Sequence, residues 1–300
     1  MNKIFLITLL LCSSFTDTVF AQTGALKTKI EQILQTKNAT VGLAVYGLED
    51  KDTLSINNTK HFPMQSVFKF HIALAVLNEV DKGRFSLTQN IFIKKSDLLP
   101  DTWSPLREDY PNGNINVSLA KILGYTVSQS DNNGCDILLR LIGGEKVANR
   151  YLHSIGIKDV AIVANEEAMH KDWNVQFLNW TTPQATIALL KKFYERKMLS
   201  QKSHDFLWKI MVETSTGKNR IKAQLPSGTI VAHKTGTSGT NQAGITSAIN
   251  DIGIVTLPNG KHFVICFYVA NSRENEATNE KIIADISKLT WDYFVGKTKK

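Results

Sequence analysis

The sequence predicts an α/β chain of the α+β kind. A mixed, mainly antiparallel sheet is flanked by helices, and an all-helical domain is inserted between the strands that build it. Three observations predict this arrangement. Apolar, strand-like runs occur near the two ends only, at 41–48 and 53–56 and again from residue 230 onward. The stretch between them carries apolar residues at helical spacing, separated by polar loops. One of its helices, 66–81, is apolar nearly all round, which places it inside the packing rather than on its surface. A chain of 300 residues with 43% hydrophobic and 21% charged side chains can bury such a core without disulfide or metal staples. The same figures exclude a disordered or collagen-like chain.

The elements follow in order. Lys3 precedes an apolar run at 4–11, and Val19-Phe20-Ala21 stands before Gln22. The run is shorter than the ~20 residues of a membrane span, so 1–21 reads as a cleaved signal peptide. Cys12 offers lipid attachment, but Leu11 stands where a small residue is needed. A helix at 25–36 leads into the strand at 41–48, and Asp50-Lys51-Asp52 turns the chain into 53–56. The buried helix 66–81 stops at Gly83. Helical spacing recurs at 118–123, 133–142, 145–155, 183–196 and 204–212. Strands return at 230–233, 245–255 and 262–270, with Pro258-Asn259-Gly260 as a turn, and 277–294 closes the chain as an amphipathic helix. The sheet domain is therefore discontinuous, 22–63 with 213–300, and 64–212 is the helical domain.

Charge and cysteine narrow the function. Thirty-five Lys and Arg against 27 Asp and Glu give +8, but the basic residues are spread out; only Lys297, Lys299 and Lys300 cluster. No element interleaves them with aromatics, so no nucleic-acid partner is expected and the charge reads as solvated surface. Cys135 and Cys266 lie in a helical and a strand-like apolar pattern, as two buried free thiols do. The seven histidines (61, 71, 153, 170, 204, 233 and 262) show no H-x-H spacing. No metal and no cofactor are expected. No second apolar run reaches spanning length, so the mature chain is expected to be exported without membrane insertion.

Three short motifs carry chemistry. In Ser66-Val67-Phe68-Lys69 a spacing of three puts hydroxyl and ammonium on one helical face. Serine needs a neighbouring base to become a nucleophile, and a desolvated lysine can act as one. Ser130-Asp131-Asn132 lies between helices and offers a proton-passing hydroxyl and an amide. Lys234-Thr235-Gly236-Thr237 follows the strand-like run 230–233; its glycine permits close approach of a ligand, and its lysine and hydroxyls suit a carboxylate. Each alone is common. In this order they form the S-x-x-K, S-D-N and K-T-G signature of class A β-lactamases and penicillin-binding proteins.

Over essentially its whole mature length the chain resembles class A serine β-lactamases, with the β-lactamase/DD-peptidase-like fold. The resemblance implies an acyl-serine on Ser66, with Lys69 beside it, and a proton delivered by Ser130 to the leaving nitrogen. It implies an oxyanion hole from the Ser66 and Thr237 amides. Asn132 would hold the substrate's side-chain amide. Lys234, Thr235, Gly236 and Thr237 would bind its carboxylate, with Arg220 replacing an arginine absent after the third motif, and Trp103 would wall the site. In the loop at 164–170, Glu166 is the expected deacylation base, and His170 shares its face if one helical turn forms there. Glu167 ranks second, because Lys171 takes the corresponding place. The acylation base stays open between Lys69 and Glu166 acting through water. Ala164 and Asn179 replace the ion pair that usually ties this loop, leaving Asn179, Trp180 and nearby packing to hold it. With His170 and the 129–136 segment, these departures look like the PER/VEB-type extended-spectrum branch. The expectation is a monomeric periplasmic enzyme that opens penicillins and oxyimino cephalosporins. A penicillin-binding DD-peptidase and a non-hydrolytic β-lactam sensor domain are the alternatives.

Overall fold

A computed structural model of the chain describes residues 13–297, with side-chain surroundings from residue 23 onward. Residues 1–12 of the expected signal segment lie outside the described residues, as do Lys299 and Lys300. Helix α1 (Ser13–Leu34) runs across the expected cleavage point and leads into strands β1 (Thr40–Gly47) and β2 (Thr53–Ile56). Strand β3 (Phe62–Pro63), a 3-10 turn at Gln65–Val67 and helix α2 (Phe68–Asp81) follow. Then come β4 (Asn90–Ile93), α3 (Pro105–Asp109), β5 (Ile115–Ser118), α4 (Leu119–Ser128), α5 (Asn132–Ile142) and α6 (Glu145–Ser154). A long loop holds β6 (Val160–Ala161), α7 (Glu166–Lys171), a 3-10 segment at Trp173–Leu178 and β7 (Trp180–Thr181). Helices α8 (Pro183–Tyr194) and α9 (Gln201–Val212) precede β8 (Val231–Thr237), β9 (Thr246–Thr256), β10 (His262–Ser272) and α10 (Glu276–Lys297).

The two chain ends build one sheet in the order β2-β1-β10-β9-β8. Every pairing in it is antiparallel, so the sheet expected to be mixed is purely antiparallel. One face packs under α1 and α10, where Leu26, Ile30, Ile282 and Phe294 meet Val231, Val255 and Phe267. The other packs on the helical part through α8, with α9 against β8, and α2 forms the centre of that part. Phe68, Phe70, Ile72, Leu74 and Val76 all lose their solvent, as an all-round apolar helix requires. Each such side chain contributes about 1.5–3 kcal/mol by leaving water. Helices α4, α5, α6 and α9 surround it. Their starts are capped locally: Ser118 accepts from the Lys121 amide and Asp131 from the Gly134 amide.

Three expectations about local structure are corrected. The middle of the chain is not helix alone, because β3, β6 and β7 form a small sheet and β4 pairs with β5. Strands of two to four residues are too short for periodicity to reveal. Ser66 lies in the 3-10 turn and α2 starts at Phe68, because Gln65 takes φ +47°. Finally, β8 continues through Thr237, so the strand expected at 230–233 includes the third motif.

Gly42 links the sheet to the turn at Ser66. A β-carbon there would overlap the ring of Phe62, a buried residue four positions before Ser66. Gly42→Ala is therefore expected to cost about 1–3 kcal/mol by overpacking, read from urea unfolding. An unchanged midpoint would show that the ring has room to move.

Candidate active site

The turn at Ser66 is held from three sides. The Met64 amide donates to the Asn179 carbonyl at 2.9 Å, and the Val67 amide to the Met64 carbonyl at 3.2 Å. From β9, Asn250 Nδ2 donates to the carbonyls of Pro63 and Met64 at 2.8 and 3.0 Å. Strand β8 lies so close that a β-carbon on Gly236 would sit 2.5 Å from the Met64 oxygen and 3.2 Å from the Ser66 nitrogen. Glycine at this position is what lets β8 run past the serine, and Ser66 and Thr237 line the same cleft.

Lys69 follows Ser66 by one turn and is wholly buried. Its Nζ donates to Ser66 Oγ at 3.0 Å, to the Ser130 carbonyl at 2.7 Å and to Asn132 Oδ1. The same ammonium lies 2.8 Å from Glu166 Oε1. A buried cation is tolerated only when paired in this way. Lys234 is also wholly buried; its Nζ donates to Ser130 Oγ at 2.9 Å and to the Thr235 carbonyl at 2.8 Å. Burial, with the nearby charge of Lys69, pushes Lys234 well below the usual lysine range. Ser130 thus touches both lysines, through its carbonyl and its hydroxyl, from a left-handed backbone at φ +60°.

Asp131 anchors this segment. Its buried carboxylate accepts from Ser104 Oγ and from the Leu106 and Gly134 amides. Both ends of the Asn132 amide are engaged, Oδ1 by Lys69 and Nδ2 by Thr102 Oγ1 at 2.7 Å. One lone pair of Oδ1 and one hydrogen of Nδ2 remain for a ligand. Trp103 is 56% exposed, donates through Nε1 to the Gln129 carbonyl, and walls a cleft with Ser66, Ser130, Asn132, Thr235 and Thr237.

The loop bearing Glu166 closes without an ion pair. Asn179 is fully buried; its Oδ1 accepts from the Val163 and Ala164 amides at 2.7 and 3.0 Å. Its Nδ2 donates to the Ala164 carbonyl at 2.8 Å. Trp180 stacks on His61 with ring centroids 3.5 Å apart. One helical turn does form: Asn165 caps α7, and Glu166 and His170 stand four apart on it. His170 is exposed and lines a cleft of about 320 Å³ with Ser66, Glu166, Gln176 and Thr237. Glu167 is turned away, paired with Lys171 at 2.6 Å.

Arg220 is buried beneath β8 rather than on the surface. Nη2 donates to Thr237 Oγ1 at 2.7 Å, Nη1 to the carbonyls of Gly236 and Asn250, and Nε meets Glu280 at 3.1 Å. Thr216 and Thr235 share a hydrogen bond at 2.6 Å.

Sequence reading missed Asp136. Its two oxygens accept from the Glu166 and Glu167 amides at 2.8 and 3.0 Å, seating the start of α7 on α5. Nothing local marks this contact, because its partners lie 30 and 31 residues apart. Gln65, Gln176 and Ser247 were missed for the same reason: one hydrogen-bond network joins the turn, the loop and β9.

Comparison with known proteins agrees with this geometry. A family model described as the β-lactamase enzyme family matches residues 25–294. The chain is 55% identical to β-lactamase VEB-1 of Pseudomonas aeruginosa, covering 97% of this chain and 98% of the relative. It is 44% identical to the extended-spectrum β-lactamase PER-1 of the same organism, covering 97% and 94%. Among solved structures, TLA-3 extended-spectrum β-lactamase superposes with a TM-score of 0.90 at 56% identity, covering 91% of this chain and 99% of that one. A class A β-lactamase from Bacteroides cellulosilyticus gives 0.88 at 43% identity, covering 92% and 99%.

The Asp136 contact carries a pH signature. Burial, with the Glu166 carboxylate adding to it, raises Asp136 to about 6, although the two amide donors pull the other way. In the unfolded chain an aspartate titrates near 3.9. Between about pH 4 and 6 the folded form keeps a proton the unfolded form has lost, so stability falls as pH rises through that window. Asp136→Asn abolishes the titration. Its unfolding free energy relative to the parent is expected to improve by about 1–3 kcal/mol between pH 4.5 and 7.5. A difference that stays flat across that range contradicts the assignment.

Proposed function

The chain belongs to the β-lactamase enzyme family, and we propose that it hydrolyses the β-lactam amide through an acyl-serine on Ser66, with Glu166 releasing the acyl group. One observation carries the reading. Lys69 Nζ lies 3.0 Å from Ser66 Oγ and 2.8 Å from Glu166 Oε1, joining nucleophile and loop acid through a single nitrogen.

That contact supports an acylation route in which Lys69 is the base. Passing one proton from Lys69 to Glu166 leaves a free amine facing Ser66 Oγ, and that amine takes the serine proton as Oγ bonds to the lactam carbonyl carbon. The lysine and glutamate act as a pair. Charge building on the carbonyl oxygen meets the Ser66 and Thr237 amides. When the carbon–nitrogen bond breaks, Ser130 Oγ protonates the departing nitrogen. Lys234 already donates to that oxygen, so the serine's own hydrogen is free to point into the cleft. Lys69 passes on the proton it took from Ser66 to restore the Ser130 hydroxyl, and Glu166 returns its proton to Lys69, so the loop acid is again a carboxylate. In deacylation Glu166 takes a proton from the attacking water, with His170 on the same helical face. Lys234, Thr235, the Gly236 backbone and Thr237 receive the substrate carboxylate, and Arg220 supports them through Thr237. Asn132 Oδ1 accepts from the side-chain amide, and Trp103 forms the outer wall.

The cleft between the Glu166 loop and β8, lined by Gln65, Met169, His170, Trp173 and Gln176, has room for a branched acyl side chain. Oxyimino cephalosporins are the proposed extended-spectrum substrates, alongside penicillins. The loop acid touching Lys69 favours turnover over the slow release of a DD-peptidase or sensor domain. Among the described residues no helix is long and apolar enough to cross a membrane. The amino-terminal signal pattern supports a site of action in the periplasm.

Glu166→Ala is the direct test. Acylation should remain detectable while release slows by about 100- to 10,000-fold, so mass spectrometry should find the intact acyl-enzyme. Turnover at the parental rate would remove Glu166 from the mechanism. Steady-state hydrolysis of cefotaxime or ceftazidime should be readily measurable with the parent enzyme; a rate no faster than buffer alone rejects the substrate assignment.

A further inference from the structure

Lys234 is a buried cation with an unusual lack of support. Lys69 touches Glu166 and Arg220 touches Glu280, yet the partners of Lys234 are a serine hydroxyl and a backbone carbonyl, with no carboxylate among them. It also faces the positive charges of Lys69 on α2 and Arg220 ahead of β8. The acids that oppose them are Glu166 on α7, already committed to Lys69, and Asp251 on β9.

Asp251 has no role in the chemistry described above, yet it is wholly buried. It stands opposite Thr235 in the β8–β9 register, next to Ile252, the partner of Lys234. Its neighbours at alternate positions, Ile249 and Val255, belong to the apolar face under α1 and α10. A carboxylate in such surroundings is costly unless the fold supplies donors. His233 Nδ1 lies 2.9 Å from Oδ1 and 3.2 Å from Oδ2, and the Ile221 amide donates to Oδ2 at 3.3 Å. Space for the imidazole is built in. A β-carbon on Gly253, the cross-strand partner of His233, would come within 2.8 Å of His233 Cβ.

The ring's other nitrogen, Nε2, is buried without a partner. An unpaired lone pair costs less to bury than an unpaired N–H, so the ring proton belongs on Nδ1, where it donates to Asp251. The anion is left to act on the cations around it: Lys234, Arg220 and the half-buried Lys222.

We propose that Asp251, clamped by His233 and the Ile221 amide behind β8, is a positioning residue that keeps Lys234 charged for the substrate carboxylate. It touches neither substrate nor reacting atoms and acts from β9, the strand next to β8. The inference rests on the reading of Lys234 as the carboxylate-binding group. Its sign is definite. Removing the anion favours loss of the Lys234 proton, so the charged enzyme disappears at lower pH.

The experiment compares a cephalosporin bearing a free carboxylate with its methyl ester, on the parent enzyme and on Asp251→Asn, as kcat/KM against pH. For the acid, the alkaline limb should fall by about one pH unit and KM at neutral pH should rise about five- to tenfold. Turnover should stay within about twofold, and the ester should respond to neither change. A purely structural role lowers Tm and leaves the limb in place, which overturns the proposal. If the parent itself handles acid and ester alike, the Lys234 reading fails and takes the proposal with it. If Asp251→Asn does not fold, His233→Gln gives the answer, because it keeps the carboxylate and an amide donor. The limb and the acid-to-ester ratio should then hold at parental values, and movement of either overturns the proposal.

Discussion

Everything in the site depends on burying two ammonium groups beside one serine. Lys69 reaches Ser130 through its carbonyl and Lys234 through its hydroxyl, and neither lysine has any solvent of its own. Two like charges in a dry site repel strongly, so the surrounding chain must supply acceptors and opposite charge. It does so from separate elements: Glu166 from the long loop, Asn132 from α5, and carbonyls from the segments at 130 and 235. This requirement explains why a helical insertion has to dock on a sheet edge at all. Neither part alone holds both lysines and the serine between them.

The docking is made close by missing side chains and held by neutral amides. Gly236 brings β8 against the Ser66 turn, and Asn250 fixes that turn from the next strand. The loop carrying Glu166 is closed by the Asn179 amide, which accepts two N–H groups and donates to a carbonyl within one residue's reach. A neutral closure avoids the desolvation cost that a buried ion pair incurs. It leaves Asp136 and the Lys69–Glu166 pair as the charged contacts at the start of α7, and at Asp136 two backbone amides meet a carboxylate.

The sequence made the chemistry legible wherever partners lie within one element. Ser66 and Lys69 are three apart, Glu166 and His170 four apart, and the strand–helix–strand order of the chain predicted the discontinuous sheet. It was silent where two distant segments meet. Asp136 looked like one more residue near Cys135, and Gln65 gave no sign that it reaches Gln176. Arg220 could have been a surface arginine; only the β8–β9 pairing, with carbonyls from Gly236 and Asn250, shows it enclosed. Short strands such as Phe62–Pro63 escaped because two residues have no period to detect, although their pairing with Trp180 and Thr181 ties the loop to the turn at Ser66.

Of the seven described non-glycine residues with left-handed backbone, the five elsewhere are exposed, and the two that are not lie at the same place. Gln65 and Ser130 both hold left-handed dihedrals without being glycine, and each flanks or forms the site. Such conformations cost of order 1–3 kcal/mol and persist only where the neighbourhood over-determines them. Around Ser130 that neighbourhood can be named. The Asp131 carboxylate accepts from Ser104, Leu106 and Gly134, and the Asn132 amide donates to the Trp103 carbonyl. These bonds fix the residues immediately after the serine, and the two lysines fix the serine itself. Relaxing its backbone would therefore break the cap of α5 and unseat a buried cation together. The strained serine and the buried charges hold each other in place, which is why the motif residues act only as a set.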